Sequence, residues 1–204
     1  MKSKNLLDQL KELPYFRKNS ICLLGKHMGL NDKTVNTYIS RFLRERKIYR
    51  LKNGLYVSAD FFDKNKGDIS YSFYLANILR TPSYVSSWTA LQYYGLTTEA
   101  IYSISSVTTK VTREYKTNIG HFTYQSIHKD LFSDFSLIGE RFDFFIASPS
   151  KALFDLLYFR TNQFKGANIK NIESIIEDLR IDVDEMSTEE LSKFYKMIKQ
   201  NVHE

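Results

Sequence analysis

Cys22 is the one cysteine among 204 residues, so no disulfide can form within the chain. It lies in the apolar run ICLL, where a thiol reads as a small buried hydrophobe rather than a nucleophile. No run of about 18 apolar residues occurs, and MKSKNLLDQLKEL lacks the continuous apolar segment of a signal peptide. A soluble, cytoplasmic protein with no membrane partner is expected. Catalytic signatures are just as scarce. His27, His121, His128 and His203 are scattered, without HExxH spacing or a CxxC partner, so no metal site is expected. GxGxxG, GxxxxGK(S/T) and a nucleophile-elbow serine are all missing, and neither a cofactor nor an enzymatic activity is expected. The best carboxylates for a metal-dependent nuclease are Asp134, Glu140 and Asp143, but isolated acids flanking a strand are usually solvated. There is no tandem repeat or low-complexity tract.

What is present is ample material for a core: 43% of residues are hydrophobic and 15% aromatic, in a length that suits one or two domains. Charge is unevenly placed. Residues 1–58 hold 13 Lys or Arg against 4 Asp or Glu, a net +9, whereas the remainder is −3. Affinity for a polyanion therefore belongs to the N-terminal part.

Within that part, Ser20 to Val57 reads as helix, tight turn, longer helix and a hairpin closed by Asn53-Gly54, the order of a winged helix-turn-helix. Gly29 suits a left-handed C-cap and Asn31 an N-cap. Val35, Ile39, Phe42 and Leu43 share one face of the second helix. The other face collects Lys33, Thr34, Asn36, Thr37, Ser40, Arg41 and Arg44, the side chains that contact base edges and phosphates in a major groove. Asn-Gly suits a type I′ turn, placing Arg50, Lys52 and Asn53 at the tip of a wing that reaches phosphate or minor groove. A basic amphipathic helix alone is most often a solvated surface; here it comes with a short turn, a supporting helix and a basic hairpin. Double-stranded DNA is the expected ligand. Ahead of this unit, Leu6, Leu7, Leu10 and Leu13 stripe a first helix that Pro14 helps to end, Tyr15 and Phe16 pack beneath it, and Lys2, Lys4, Lys11, Arg17 and Lys18 add cations for phosphate.

Residues 59–69 read as a linker, giving a DNA-binding domain over 1–58 and a C-terminal domain over 70–204. Helices are expected at Ser70 to Arg80 and from Ser86 or Ser87 to Gly95. Strands follow at Tyr102 to Val111 and Gly120 to Ile127, joined by a polar loop around Arg113 to Asn118, with a third at Arg141 to Ala147. Ser148-Pro149 opens a strongly apolar helix, and two more helices occupy Ile172 to Leu179 and Ser187 to Gln200, the last opening on a Ser187…Glu190 capping box. The expected class is α+β: a winged helix-turn-helix, then a mixed α+β domain with a small antiparallel or mixed sheet and a helical tail.

Three patches, the N-terminal unit ending in GLYV, YVSSWTALQYYGL (84–96) and ASPSKALFDLLYF (147–159), resemble the AbiEi-type antitoxins, transcriptional regulators of type IV toxin–antitoxin and abortive-infection loci. The resemblance spans most of residues 5–160. It implies a repressor that binds inverted repeats in its own operon, with two protomers on the DNA, and counters a nucleotidyltransferase-like toxin without requiring a stable complex. The family pattern falls on Tyr84, Ser86, Ala90, Leu91, Gly95 and Leu96, and on Pro149, Lys151, Ala152, Leu153 and Asp155; Ser150 stands where an acid is common. Tyr84, Ser86, Trp88, Lys151 and Asp155 are thereby candidate partner-contact residues. Physically, Lys151 in a first helical turn opposes the helix dipole, and a salt bridge to Asp155 or a helix-to-sheet anchor accounts for it more simply. Tyr84, Trp88, Tyr93 and Tyr94 likewise read first as core. The rival class is a stand-alone regulator whose C-terminal domain senses a small ligand.

Overall fold

A computed structural model describes residues 2–139 and 141–202; Glu140 and His203 lie outside the described residues. The chain is α+β with two sheets. It opens with α1 (Lys2–Leu10), β1 (Phe16–Arg17), α2 (Lys18–His27), α3 (Asp32–Arg44) and the hairpin β2 (Ile48–Lys52) and β3 (Leu55–Ser58). The strands form an antiparallel sheet in the order β1-β3-β2. Leu6, Leu10, Phe16, Ile21, Val35, Ile39, Phe42, Ile48 and Tyr56 close a small core. Cys22 lies half-buried against it. Leu13 stays exposed, because α1 stops at Leu10 and the stripe loses its fourth position.

The hairpin also belongs to a larger core, since Leu51, Leu55 and Val57 pack with the C-terminal elements. Residues 59–69 are not an extended tether. They hold α4 (Ala59–Asn65), N-capped by Ser58, and lead into α5 (Ile69–Leu79), N-capped by Asp68. Tyr15 does not sit under α1; its ring meets Tyr74 of α5 with centroids 6.0 Å apart. The Tyr71 hydroxyl donates to the Pro14 carbonyl at 2.7 Å, a second tie between the two cores.

Beyond α5 come β4 (Tyr84–Val85), α6 (Ser87–Tyr93), β5 (Ile104–Thr108), β6 (Arg113–Thr117), β7 (Gly120–Ser126), β8 (Phe135–Ile138) and β9 (Phe144–Ala147). They build one mixed six-stranded sheet, β6-β7-β5-β4-β9-β8, larger than the small sheet expected. The polar stretch at Arg113 to Asn118 is a strand, not a loop: Arg113 to Thr117 pairs antiparallel with Gly120 to Tyr124, while β5 and β7 run parallel. β6 is an edge strand, and charged residues along an edge protect it from pairing with other chains, so it reads as polar. Tyr102 and Val111 fall outside the ladder and are exposed. Three helices complete the fold, α7 (Pro149–Arg160), α8 (Ile169–Asp178) and α9 (Thr188–Asn201). α7 is buried from Ser150 through Tyr158, and a helix apolar all round belongs in an interior.

Candidate nucleic-acid interface

α3 is built to leave one face outward. The Asn31 side chain accepts from the Thr34 N–H at 2.8 Å, satisfying an orphan donor at the helix start. Gly29, at φ 70°, ends the preceding helix in the left-handed conformation and keeps the turn short. Val35, Ile39 and Phe42 anchor the inner face, and Leu43 is half-buried. Gly25 sits where α2 meets α3, and a Cβ there would collide with Cγ2 of Val35.

On the outer face Lys33, Asn36, Thr37, Ser40 and Arg44 are exposed, and Thr34 is half-buried. The Thr37 hydroxyl donates to the Lys33 carbonyl at 3.0 Å, which leaves the oxygen able to accept. Arg41 departs from the expected set. It lies on the flank of α3 nearest α1, hydrogen-bonds Ser3 Oγ, faces Glu45 at 3.9 Å and covers the Tyr38 ring at 5.0 Å. Glu45 is held below the usual carboxylate range chiefly by the Lys47 ammonium at 2.7 Å.

The hairpin keeps Arg50 and Asn53 exposed, but its turn is not type I′. That type needs positive φ at both central residues, and here Gly54 has it (74°) while Asn53 does not. A bulge between Arg50 and Lys52 accompanies the change. Lys52 is turned away from the tip, its ammonium donating to the Leu79 carbonyl at the end of α5 at 2.6 Å. Burial lowers its pKa, and the nearby cations Arg17, Lys110 and Arg80 push the same way. Exposed Arg17 and Lys18 flank the turn instead, the Lys18 N–H donating to the Gly54 carbonyl at 2.9 Å. Lys11 is occupied by Asp8 at 3.1 Å and Asp60 at 3.4 Å.

The motif residues of the C-terminal half converge in a different way. Asp155 is fully buried and Lys151 is 1% exposed; their Oδ1 and Nζ lie 2.8 Å apart. Oδ2 of Asp155 accepts from Ser86 at 2.7 Å and from the Tyr84 hydroxyl at 3.0 Å. The Lys151 ammonium also stands 4.7 Å from the centroid of Phe154. Burial pushes the Asp155 carboxyl up, opposed by Lys151, Ser86 and Tyr84, and burial beside that carboxylate pushes the Tyr84 phenol far above its ordinary value. Tyr84, Ser86, Lys151 and Asp155 are thus an internal link between β4 and α7 and present no surface to a partner; Trp88 is half-buried nearby in sequence but absent from this link. Tyr94 packs as core as well, its hydroxyl donating to the Ala147 carbonyl at 3.0 Å and pushed up by burial to about 12.

No sequence signal pointed to Glu190 as part of this region. Its carboxylate accepts from the Ser150 N–H at 2.9 Å and the Ser150 hydroxyl at 2.7 Å, placing an acid against the start of α7 from α9. Among the described residues no group of three or more His, Cys, Asp or Glu is placed to hold a metal ion. In comparisons with known proteins, no family model and no curated protein matches the chain.

Proposed function

We propose that the chain is a DNA-binding transcriptional repressor in which residues 1–58 act as a winged helix-turn-helix. α3 lies in the major groove with Lys33, Asn36, Thr37, Ser40 and Arg44 toward bases and phosphates, and the β2–β3 hairpin follows the adjoining backbone. The observation that carries this reading is the exposure of those five side chains opposite the buried Val35, Ile39 and Phe42. Arg17, Lys18, Arg50 and Asn53 around the hairpin turn supply the wing. Cations there suit phosphate contacts, which position a protein on a duplex, while the helix face supplies base contacts.

Following the family resemblance, the repressor is the antitoxin of a type IV abortive-infection operon. It acts in the cytoplasm on inverted repeats in its own operon, two protomers per site, and counters a nucleotidyltransferase-like toxin without a lasting complex. The motifs at 84–96 and 147–159 support this part, and their shared use of Tyr84, Ser86 and Asp155 for one buried link gives a physical reason for the pattern. A stand-alone regulator with a ligand-sensing C-terminal half is the second reading, favoured by the aromatic cavity described below.

Gel-shift titration of the full chain on the DNA upstream of its own coding sequence tests the repressor. A discrete complex that a scrambled duplex of equal length does not compete is expected; equal competition by the scrambled duplex overturns it. Co-expression with a nucleotidyltransferase-like neighbouring gene separates the two readings. Rescue of growth supports the antitoxin, and continued toxicity at equal expression leaves the stand-alone regulator.

A further inference from the structure

We propose that the C-terminal half carries a binding site for a small organic cation, in a cavity of about 350 Å³ between α5 and the β8–β9 side of the large sheet. Its walls include the rings of Tyr74, Phe132, Phe135 and Phe145. Phe132 and Phe135 lie 5.0 Å apart at 61°, and Phe135 and Phe145 lie 5.9 Å apart at 85°.

Among the described residues that line the cavity, Asp143 is the one charged group, and it is a carboxylate. Aromatic faces carry negative potential, so rings combined with a carboxylate attract an ammonium group and repel an anion. Ser83 lines the same cavity. It is 5% exposed, and its hydroxyl has no hydrogen-bond partner within the protein.

The walls are held in place before any ligand arrives. The Asn77 side chain accepts from the Phe145 N–H at 2.6 Å and donates to the Ser83 carbonyl at 3.4 Å, clamping α5 to both sides of the cavity. The volume falls within the range of about 300 to 1,000 Å³ typical of small-molecule sites. These features select a compact aromatic or alkyl ammonium, and they stand whether or not the chain binds DNA.

The test is an NMR titration of the full chain with benzyltrimethylammonium, compared with neutral benzyl alcohol and anionic 3-phenylpropionate. Backbone amide shifts at Ile78, Phe132 and Phe145 report occupancy. The cation binds about tenfold more tightly than the alcohol, given the size of exposed cation–π contacts together with a carboxylate, and the anion binds weakest. Asp143→Asn removes most of that preference, and Phe145→Leu weakens the cation while leaving the fold intact, since Phe145 is 40% exposed. Equal binding of cation and alcohol overturns the site. So does a preference that Asp143→Asn leaves in place, or the absence of any shift at saturating probe.

Discussion

Lys151 carries its charge where water does not reach it, and Asp155 is its answer at 2.8 Å. Removing one partner of a buried pair strands the other, so Lys151→Met costs about 3 to 5 kcal/mol in a urea unfolding titration. The double variant Lys151→Met with Asp155→Leu recovers only part of that loss: neither charge then remains to be desolvated, but the buried Ser86 and Tyr84 hydroxyls lose their acceptor. A single-variant cost no larger than that of a surface substitution would show that the pair is hydrated. The sequence singled out Tyr84, Ser86, Lys151 and Asp155 as a set, and they do meet. The apolar run around Lys151 and Asp155 makes their enclosure and pairing legible; the hydrogen bonds from Tyr84 and Ser86 were not, because no local pattern marks residues so distant in the chain as partners.

Arg41 and Arg44 look alike in sequence and differ in the fold. Arg41 is held by Ser3, Glu45 and the Tyr38 ring, whereas Arg44 is exposed. Arg41→Ala therefore changes affinity for operator DNA less than Arg44→Ala does, by a gap of about 1 kcal/mol or more if Arg44 makes a bidentate base contact. Equal losses in an anisotropy titration would return Arg41 to the interface.

At the scale of the element, end signals explain both the successes and the misses. Asn31 caps α3 as its sequence indicates. α8 starts at Ile169, three residues before the expected Ile172, because its capping box is built from Asn168 and Asn171 rather than the Ser/Thr and Glu/Gln that mark such a box. The box expected at α9 is half formed: Ser187 accepts from the Glu190 N–H at 3.2 Å, but the Glu190 carboxylate leaves to bind Ser150. No local pattern announces a partner 40 residues away.

That tie is sensitive to acid. Burial raises the Glu190 pKa, but hydrogen bonds from the Ser150 N–H and hydroxyl and from Lys193 outweigh it, leaving the folded value below the ordinary one. A carboxyl lowered on folding stabilises fully above its unfolded pKa of about 4.3 and loses that contribution as pH falls through the folded value. Glu190→Gln accordingly lowers stability at pH 7 by about 1.5 to 3 kcal/mol, the worth of hydrogen bonds to a charged group. It also flattens the decline of stability below pH 5, as denaturant midpoints collected across pH will register. An unchanged acid slope would separate Glu190 from α7.

Over the whole molecule, the hairpin is the shared part. Its Tyr56 side closes the small core while Leu51, Leu55 and Val57 enter the large one, and Lys52 caps α5. The α+β class and the basic N-terminal third were legible from composition and periodicity. The joining of the two cores was not, because strands that bury both faces carry no mark of which neighbour covers each. On the repressor reading, the hairpin ties the DNA-facing helix to both cores. If about six phosphates are neutralised, log affinity falls with log salt at a slope near −5.

The most direct measurement is affinity for the upstream duplex, by fluorescence anisotropy, for the wild type, for Lys33→Ala with Arg44→Ala, and for Lys170→Ala on the exposed surface of the helical tail. If α3 lies along the duplex, the double variant binds at least about tenfold more weakly and with a shallower salt slope, while Lys170→Ala matches the wild type. Equal affinity and equal slope in all three would place the DNA elsewhere, or nowhere, on this protein.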